Sequence, residues 1–122
     1  MPGFKSLEVW KKSREVTNAI YAATRGFPPD ERYGLRIQMR KAAVSIMSNI
    51  AEGSGRNRPR ELIRFLRYAS GSATELDCQL TVAEDQGFLS PALSAALHRE
   101  VTEIQKMLAG LSRHWYRRST ND

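Results

Sequence analysis

The sequence predicts an all-α protein, an antiparallel up-and-down four-helix bundle in which residues 1–122 form a single domain. No long alternating run rich in Val, Ile and Thr occurs, so we expect no sheet. Four segments repeat apolar residues at the spacing of a helix face. The links between them are short, and short links place consecutive helices side by side in opposite directions.

The first two helices are predicted at about residues 7–25 and 35–52. In the first, apolar residues from Val9 to Ile20 share one face. Gly26 is expected to end this helix in the left-handed conformation, which glycine adopts without strain. A pair of prolines in the following link then prevents the helix from continuing.

The third and fourth helices are predicted at about residues 59–86 and 91–116. Pro59 suits a first helical turn, whose backbone donors are unpaired in any case, and Gly87 suits the cap at the other end. Ser90 can cap the fourth helix, which we expect to end in a frayed tail. Apolar residues recur every 3.5 positions in both helices, a period typical of left-handed bundle packing.

The charge of the chain is segregated along its length. The net charge is +6. Residues 32–67 carry nine basic and two acidic side chains, whereas residues 68–103 carry one basic and six acidic side chains. Such segregation gives the molecule a directed electrostatic field and favours an anionic partner such as RNA or another nucleic acid.

The composition also bears on the cellular location. No run of about 18 apolar residues could span a membrane, and the N-terminus has no apolar stretch typical of a secretion signal. Cys78 is the only cysteine, so no internal disulfide can form. We therefore expect a cytoplasmic protein that does not associate with a membrane.

An up-and-down topology would bring the start of the first helix, the link between the second and third, and the end of the fourth to one end. The candidate nucleic-acid-binding residues at this end are Lys11, Lys12, Arg14, Arg56, Arg58, Arg60, Arg64, Arg67, Arg113, Arg117 and Arg118. Such a basic cluster suits phosphate oxygens. The alternative is that these arginines form a solvated face or pair with Glu52, Glu61 and the acidic residues of a neighbouring subunit.

Small residues in the middle of the second and third helices suggest contacts between copies of the chain. Glycine inside a helix costs about 1 kcal/mol relative to alanine, so a run of small residues there calls for a packing reason. The candidate oligomer-packing residues are Ser45, Ser48, Ala69, Gly71 and Ala73. The alternative is a segment whose small residues are merely tolerated.

The sequence offers little support for enzyme chemistry. His98 and His114 are sixteen residues apart, and no Glu-x-x-His pair is present to build a metal site of the bundle type. Cys78 is expected to be a buried apolar residue, and Trp10 and Trp115 are expected to pack in a core or an interface. We therefore expect no catalytic residues, no metal and no cofactor.

Several motifs resemble a known family. They are Leu7-Glu8-Val9-Trp10, Phe27-Pro28, the segments 31–35 and 40–53, and the later segments 61–66 and 71–76. Together they resemble the 23S rRNA intervening-sequence proteins over roughly residues 4–89. The combination is specific, although each motif alone is weak.

The resemblance implies a four-helix bundle assembled into a ring-shaped homo-oligomer, typically a homopentamer. A more distant similarity, to the accessory protein of diversity-generating retroelements, implies a basic surface that binds nucleic acid and a reverse transcriptase. We expect a non-enzymatic bundle that binds structured RNA by shape. The alternative is a protein-interaction adaptor, such as an accessory subunit of a reverse transcriptase or a ribosome-associated factor.

Overall fold

The structure, a computed structural model, describes residues 3–121 and contains four α-helices. They are α1 (Glu8–Thr24), α2 (Leu35–Ser54), α3 (Pro59–Asp85) and α4 (Pro91–Asn121). Two short 3-10 turns, Phe4–Ser6 and Pro29–Glu31, precede α1 and α2. The described residues contain no strand, and the all-α prediction is confirmed.

Local sequence signals set the boundary between α3 and α4. Gly87 is the only described residue with a positive φ, at 78°. Its N–H donates to the carbonyl of Glu84 and the next N–H, of Phe88, donates to the carbonyl of Ala83, both at 2.9 Å. This pattern is a Schellman cap, so the predicted role of Gly87 is confirmed. Ser90 Oγ accepts the Leu93 N–H at 3.1 Å and caps the start of α4 as predicted.

Three predicted helix ends are wrong. Gly26 is not left-handed: α1 ends at Thr24 with Arg25 still in the right-handed region. The second helix continues two residues past 52, since Gly53 packs closely against α3. The fourth helix continues to Asn121, so residues 118–121 of the predicted frayed tail, Arg118 to Asp122, are helical, and Asp122 lies outside the described residues. No glycine or proline interrupts them, and Ser119 and Thr120 face the start of α3.

The four helices form a bundle in which each helix contacts two neighbours, and α2 and α3 make the most extensive contact. Every helix contributes fully buried side chains to one continuous core, for example Ile20, Ile46, Leu76 and Ile104. Burying these stripes of large apolar side chains is the main stabilising contribution to the fold. The apolar periodicity therefore indicated the correct faces.

Contacts between neighbouring helices establish which helix ends lie together. Between α1 and α2, Thr17 contacts Ala43 and Thr24 contacts Arg40. Between α2 and α3, Ser45 contacts Ser72 and Gly53 lies against Leu62. Between α3 and α4, Asp77 contacts His98 and Ser70 contacts Gln105. In each set, residue numbers rise along one helix as they fall along the other. The start of α3 therefore lies beside the end of α2 and the end of α4.

Two of the remaining expectations can be compared with the fold. Trp10 is buried in the core and Trp115 packs against it partly exposed, which confirms the packing role. Cys78 is exposed, and the prediction that it is buried is wrong. It lies off the α3 stripe that contains Leu76 and Leu80.

Across residues 3–121, no helix is both long enough and apolar enough to cross a lipid bilayer.

Candidate nucleic-acid interface

The arginines of three different segments meet at one end of the bundle. These segments are the turn between α2 and α3, the first turns of α3 and the last turns of α4, and each of them lines at least one of three cavities. We call this set the arginine surface: Arg56, Arg58, Arg60, Arg64, Arg67, Arg113, Arg117 and Arg118. All eight residues are exposed. These eight of the eleven candidate residues line the three cavities, whereas their role in binding stays a prediction.

One part of the arginine surface is a cavity of ≈ 530 Å³ at the tip of the bundle. The turn from Ser54 to Pro59 forms one wall, and Trp115 with Arg118 forms the other. The Arg118 guanidinium carbon lies 5.3 Å from the centre of the Trp115 ring, within the range of a cation–π contact. Trp115 thus supports an arginine at this site in addition to packing against the core.

The other part is a groove between α3 and α4, made of two adjoining cavities of ≈ 770 Å³ and ≈ 440 Å³. Both cavities are lined by Ile63, Arg67 and Tyr116. The larger cavity adds the arginines of the first turns of α3, and the smaller one adds Arg113 and Arg117 of α4. Cationic side chains therefore flank the groove on both helices.

Two arginines of this surface form ion pairs. Arg56 Nη2 lies 2.7 Å from a carboxylate oxygen of Glu52, and Arg64 Nη2 lies 2.7 Å from one of Glu61. Both guanidinium groups also lie within 5.3 Å of the Phe65 ring centre. Within residues 3–121, the other six arginines of the surface have no ion-pair partner. The alternative, that the arginines pair with acidic residues of the same chain, thus applies to two of the eight arginines.

The three basic candidates of α1 do not line these cavities. Lys12 forms an ion pair with Glu100 of α4, and this hydrogen bond raises the pKa of Lys12 although its burial acts in the opposite direction. Lys11 pairs with Glu8 at 3.3 Å. The Arg14 guanidinium lies 6.0 Å from the Trp10 ring centre. Contrary to the expectation, α1 does not extend the arginine surface, because Lys12 faces the carboxylate of Glu100 on α4 and Lys11 pairs within its own helix.

The candidate oligomer-packing residues separate into two groups. Ala69 and Ala73 are completely buried in the core of the single chain, so their small size is explained by packing within the bundle. Ser45 is half-buried, and its hydroxyl lies 2.8 Å from that of Ser72, where α2 and α3 approach closely. Ser48 and Gly71 are exposed. Of the five candidates, only these last two are exposed on the single chain.

Two structural features were missed in the sequence. The first is a hydrogen bond of 2.5 Å between His98 Nδ1 and a carboxylate oxygen of Asp77, which joins α3 to α4 and which sequence separation concealed. The second is Tyr116, an aromatic residue flanked by Arg113 and Arg117 and placed off the apolar stripe of α4. The position of Tyr116 between two arginines in the sequence could have indicated it.

Residues 3–121 contain no cluster of three or more His, Cys, Asp or Glu side chains arranged to hold a metal.

The comparison with known families agrees with the motifs and the fold. The family described as 23S rRNA-intervening sequence protein matches residues 5–110. The chain belongs to this family. The match confirms the resemblance. The matched region ends before Arg113, so the α4 residues that line the groove lie outside it. No curated relative matches the chain.

A solved structure has the same fold as this family member. It is a protein of unknown function from the S23 ribosomal protein family of Bacteroides thetaiotaomicron VPI-5482. The two chains superpose with a TM-score of 0.80 at 21% sequence identity, over 86% of this chain and 95% of the other. At this identity the similarity establishes a common fold.

Proposed function

We propose that this family member is a non-enzymatic RNA-binding protein of the cytoplasm that holds structured RNA on its arginine surface. Its helices would form an antiparallel up-and-down bundle, and several bundles would assemble into a ring-shaped homo-oligomer. One observation carries the proposal: eight exposed arginines from three segments converge on one end of the molecule. Only Glu52 and Glu61 pair with them in the described chain.

Arginine is well suited to this role. Its planar guanidinium group donates two parallel hydrogen bonds to phosphate oxygens and stays charged at all physiological pH values. Each phosphate that an arginine neutralises releases counterions, which drives binding at moderate salt. Phosphate contacts carry no base identity, so selectivity would come from the shape of a folded RNA.

A ring of identical subunits would strengthen such binding. Identical arginine surfaces on one assembly engage one RNA with a high effective concentration after the first contact. The resemblance to the family implies a homopentamer, and the exposed Ser48 and Gly71 leave room for close contact between copies. The opposed numbering of helix contacts supports the antiparallel arrangement of each subunit.

Charge reversal at the arginine surface tests the proposal. The triple variant Arg60→Glu, Arg64→Glu, Arg67→Glu is expected to abolish binding of a structured ribosomal RNA, as measured by fluorescence anisotropy, without loss of helicity in circular dichroism. A matched control reverses three exposed basic residues elsewhere and reaches the same net charge: Arg25→Glu, Arg32→Glu, Lys41→Glu. Equal binding by the two variants would reject this location for the site.

A protein-interaction adaptor is the competing function, for example an accessory subunit of a reverse transcriptase or a ribosome-associated factor. The same arginine surface could bind an acidic protein instead of RNA. The adaptor function would replace the RNA proposal if the purified protein bound no RNA at low salt. A protein that stayed bound after nuclease treatment, and was released by the arginine variant, would identify the partner.

A further inference from the structure

We propose that the groove between α3 and α4 binds unpaired nucleotides of the RNA, with Tyr116 stacking on a base while arginines of both helices hold the adjacent phosphates. The inference rests on the proposed function and specifies which part of an RNA this surface takes. A structured RNA would then be held where it presents a loop, a bulge or a single-stranded end.

Tyr116 is unusually exposed for an aromatic residue on a bundle helix. Its exposed fraction is 61%, whereas the neighbouring Trp115 packs against the core. The side chain therefore contributes little to the stability of the isolated chain. Tyrosine is enriched at interfaces, because its ring offers apolar area while its hydroxyl group stays in water.

In the described part of the chain, neither an arginine nor a second aromatic ring stacks on Tyr116. Four other aromatic residues, Tyr21, Tyr33, Phe65 and Trp115, have an arginine guanidinium carbon within 5.8 Å of the ring centre. Within residues 3–121, no guanidinium group and no second aromatic ring makes such a contact with Tyr116. Its faces are therefore available to a base.

The surroundings of Tyr116 suit a nucleotide. The ring lines both cavities of the groove, and their volumes of ≈ 770 Å³ and ≈ 440 Å³ fall within the range of small-molecule sites. Ile63, which is 8% exposed, gives both cavities an apolar wall. Arg67 of α3 and Arg113 of α4 lie on either side and can reach phosphates of one strand.

This arrangement distinguishes unpaired from paired RNA. In a duplex the faces of the bases are hidden by their neighbours, so Tyr116 would gain nothing from them. In a single strand every base exposes a face to an aromatic side chain, and stacking tolerates any sequence. The groove therefore predicts a preference for single strands with little dependence on base identity.

The test compares the unmodified protein with Tyr116→Ala and Tyr116→Phe. Binding is measured by fluorescence anisotropy at one fixed salt concentration, with an unstructured labelled RNA of about 12 nucleotides and with the corresponding blunt duplex. Tyr116→Ala is expected to weaken binding of the single strand about 5- to 150-fold and to leave the duplex unchanged. Tyr116→Phe keeps the ring and should bind as the unmodified protein does.

Tyr33→Ala is the matched control, since Tyr33 is 80% exposed beside Arg32 in the turn before α2, away from the groove. Its binding should not change. The salt dependence of Tyr116→Ala should also stay the same because no phosphate contact is removed.

The two proposals fail in different ways. If the unmodified protein binds no RNA, both are overturned. If it binds RNA and the triple arginine variant does not, but Tyr116→Ala binds the single strand normally, the stacking role is wrong and the arginine surface stands. An equal loss for single strand and duplex would also overturn the stacking role. So would a change of oligomeric state in Tyr116→Ala, measured by light scattering, since Tyr116 would then be an interface residue.

Discussion

Each basic side chain of this protein takes its role from the residues that the fold places beside it. Lys12 is engaged by Glu100 across the bundle. Arg40 is half-buried, donates to Thr24 Oγ1 at 2.9 Å, and has its pKa lowered chiefly by burial. Arg67, in contrast, is exposed and lines both cavities of the groove. Residues of similar charge thus divide into structural ones and ones available to a ligand.

The ion pair of Lys12 with Glu100 predicts a pH-dependent contribution to stability. The hydrogen bond raises the pKa of Lys12 above its ordinary value of 10.5. The contribution is therefore complete below that value and is lost as the pH rises through the raised pKa of the folded state. Lys12→Met should lower the free energy of unfolding at pH 7 by at most about 1 kcal/mol, and this deficit should shrink as the pH rises above 10.5 and through the raised pKa.

Urea denaturation at pH 7 and at a pH above 10.5 measures the free energy of unfolding of Lys12→Met and of the unmodified protein. Lys11→Met is the control, because Lys11 forms only an exposed pair with Glu8 within the same helix. A Lys12→Met deficit that did not depend on pH would show that the lysine stem, and not its charge, supplies the stabilisation.

The sequence allowed the arginine surface to be predicted but not the sorting of individual side chains. Arg60, Arg64 and Arg67 follow helical spacing, which depends on local sequence alone. Lys12 was assigned to the same surface because its partner, Glu100, is distant in the chain. Cys78 was predicted to be buried because a position beside an apolar stripe does not reveal how far the neighbouring helix covers it.

The contact of α2 with α3 positions the start of the arginine surface. A Cβ atom added at Gly53 would lie 2.8 Å from Phe65 Cβ and 3.1 Å from Leu62 Cδ1, so only glycine allows this approach. Farther along the same two helices, the hydroxyl groups of Ser45 and Ser72 lie 2.8 Å apart. Small residues thus bring the two helices close along much of their length.

Gly53→Ala is expected to destabilise the bundle. Relieving the overlap requires α2 and α3 to separate, and such overpacking costs about 1–3 kcal/mol. Chemical denaturation measures the loss. Gly110→Ala in α4 is the matched control, because its nearest atom would lie at 3.8 Å, an ordinary contact, and alanine favours a helix by about 0.5–1 kcal/mol. A Gly53→Ala protein as stable as the control would contradict the close packing.

Helix starts were predictable from the sequence, whereas helix ends were less so. Pro59 and Ser90 act within one turn of their own position, so their effects are visible in the sequence. The end of α2 depends on tertiary packing, which carries the helix through Gly53. The last turns of α4 contain no glycine or proline that would stop the helix before Asn121. Local propensity is a weak guide where a helix packs against another element.

The molecule as a whole separates its charges. Arginines gather where α2, α3 and α4 meet at one end, while the net negative segment, residues 68–103, forms most of the rest of α3 and the first part of α4. Such a distribution orients an approaching polyanion toward the arginine end.

The proposed assembly predicts a mass in solution that is a multiple of 13.8 kDa, five-fold for a pentamer. Gly71→Arg introduces a bulky charge at an exposed position of α3 and should dissociate the oligomer in light scattering if copies pack there. Gly26→Arg, at an exposed glycine outside the helices, should leave the mass unchanged. A monomeric unmodified protein would contradict the ring.

The most direct test of the account is the salt dependence of RNA binding by the unmodified protein, measured by fluorescence anisotropy with a structured ribosomal RNA. Contacts to four or more phosphates predict that the logarithm of the association constant falls with the logarithm of the salt concentration with a slope of about −3 or steeper. Absence of binding at about 50 mM salt, or an affinity independent of salt, would contradict the claim that the arginine surface binds RNA.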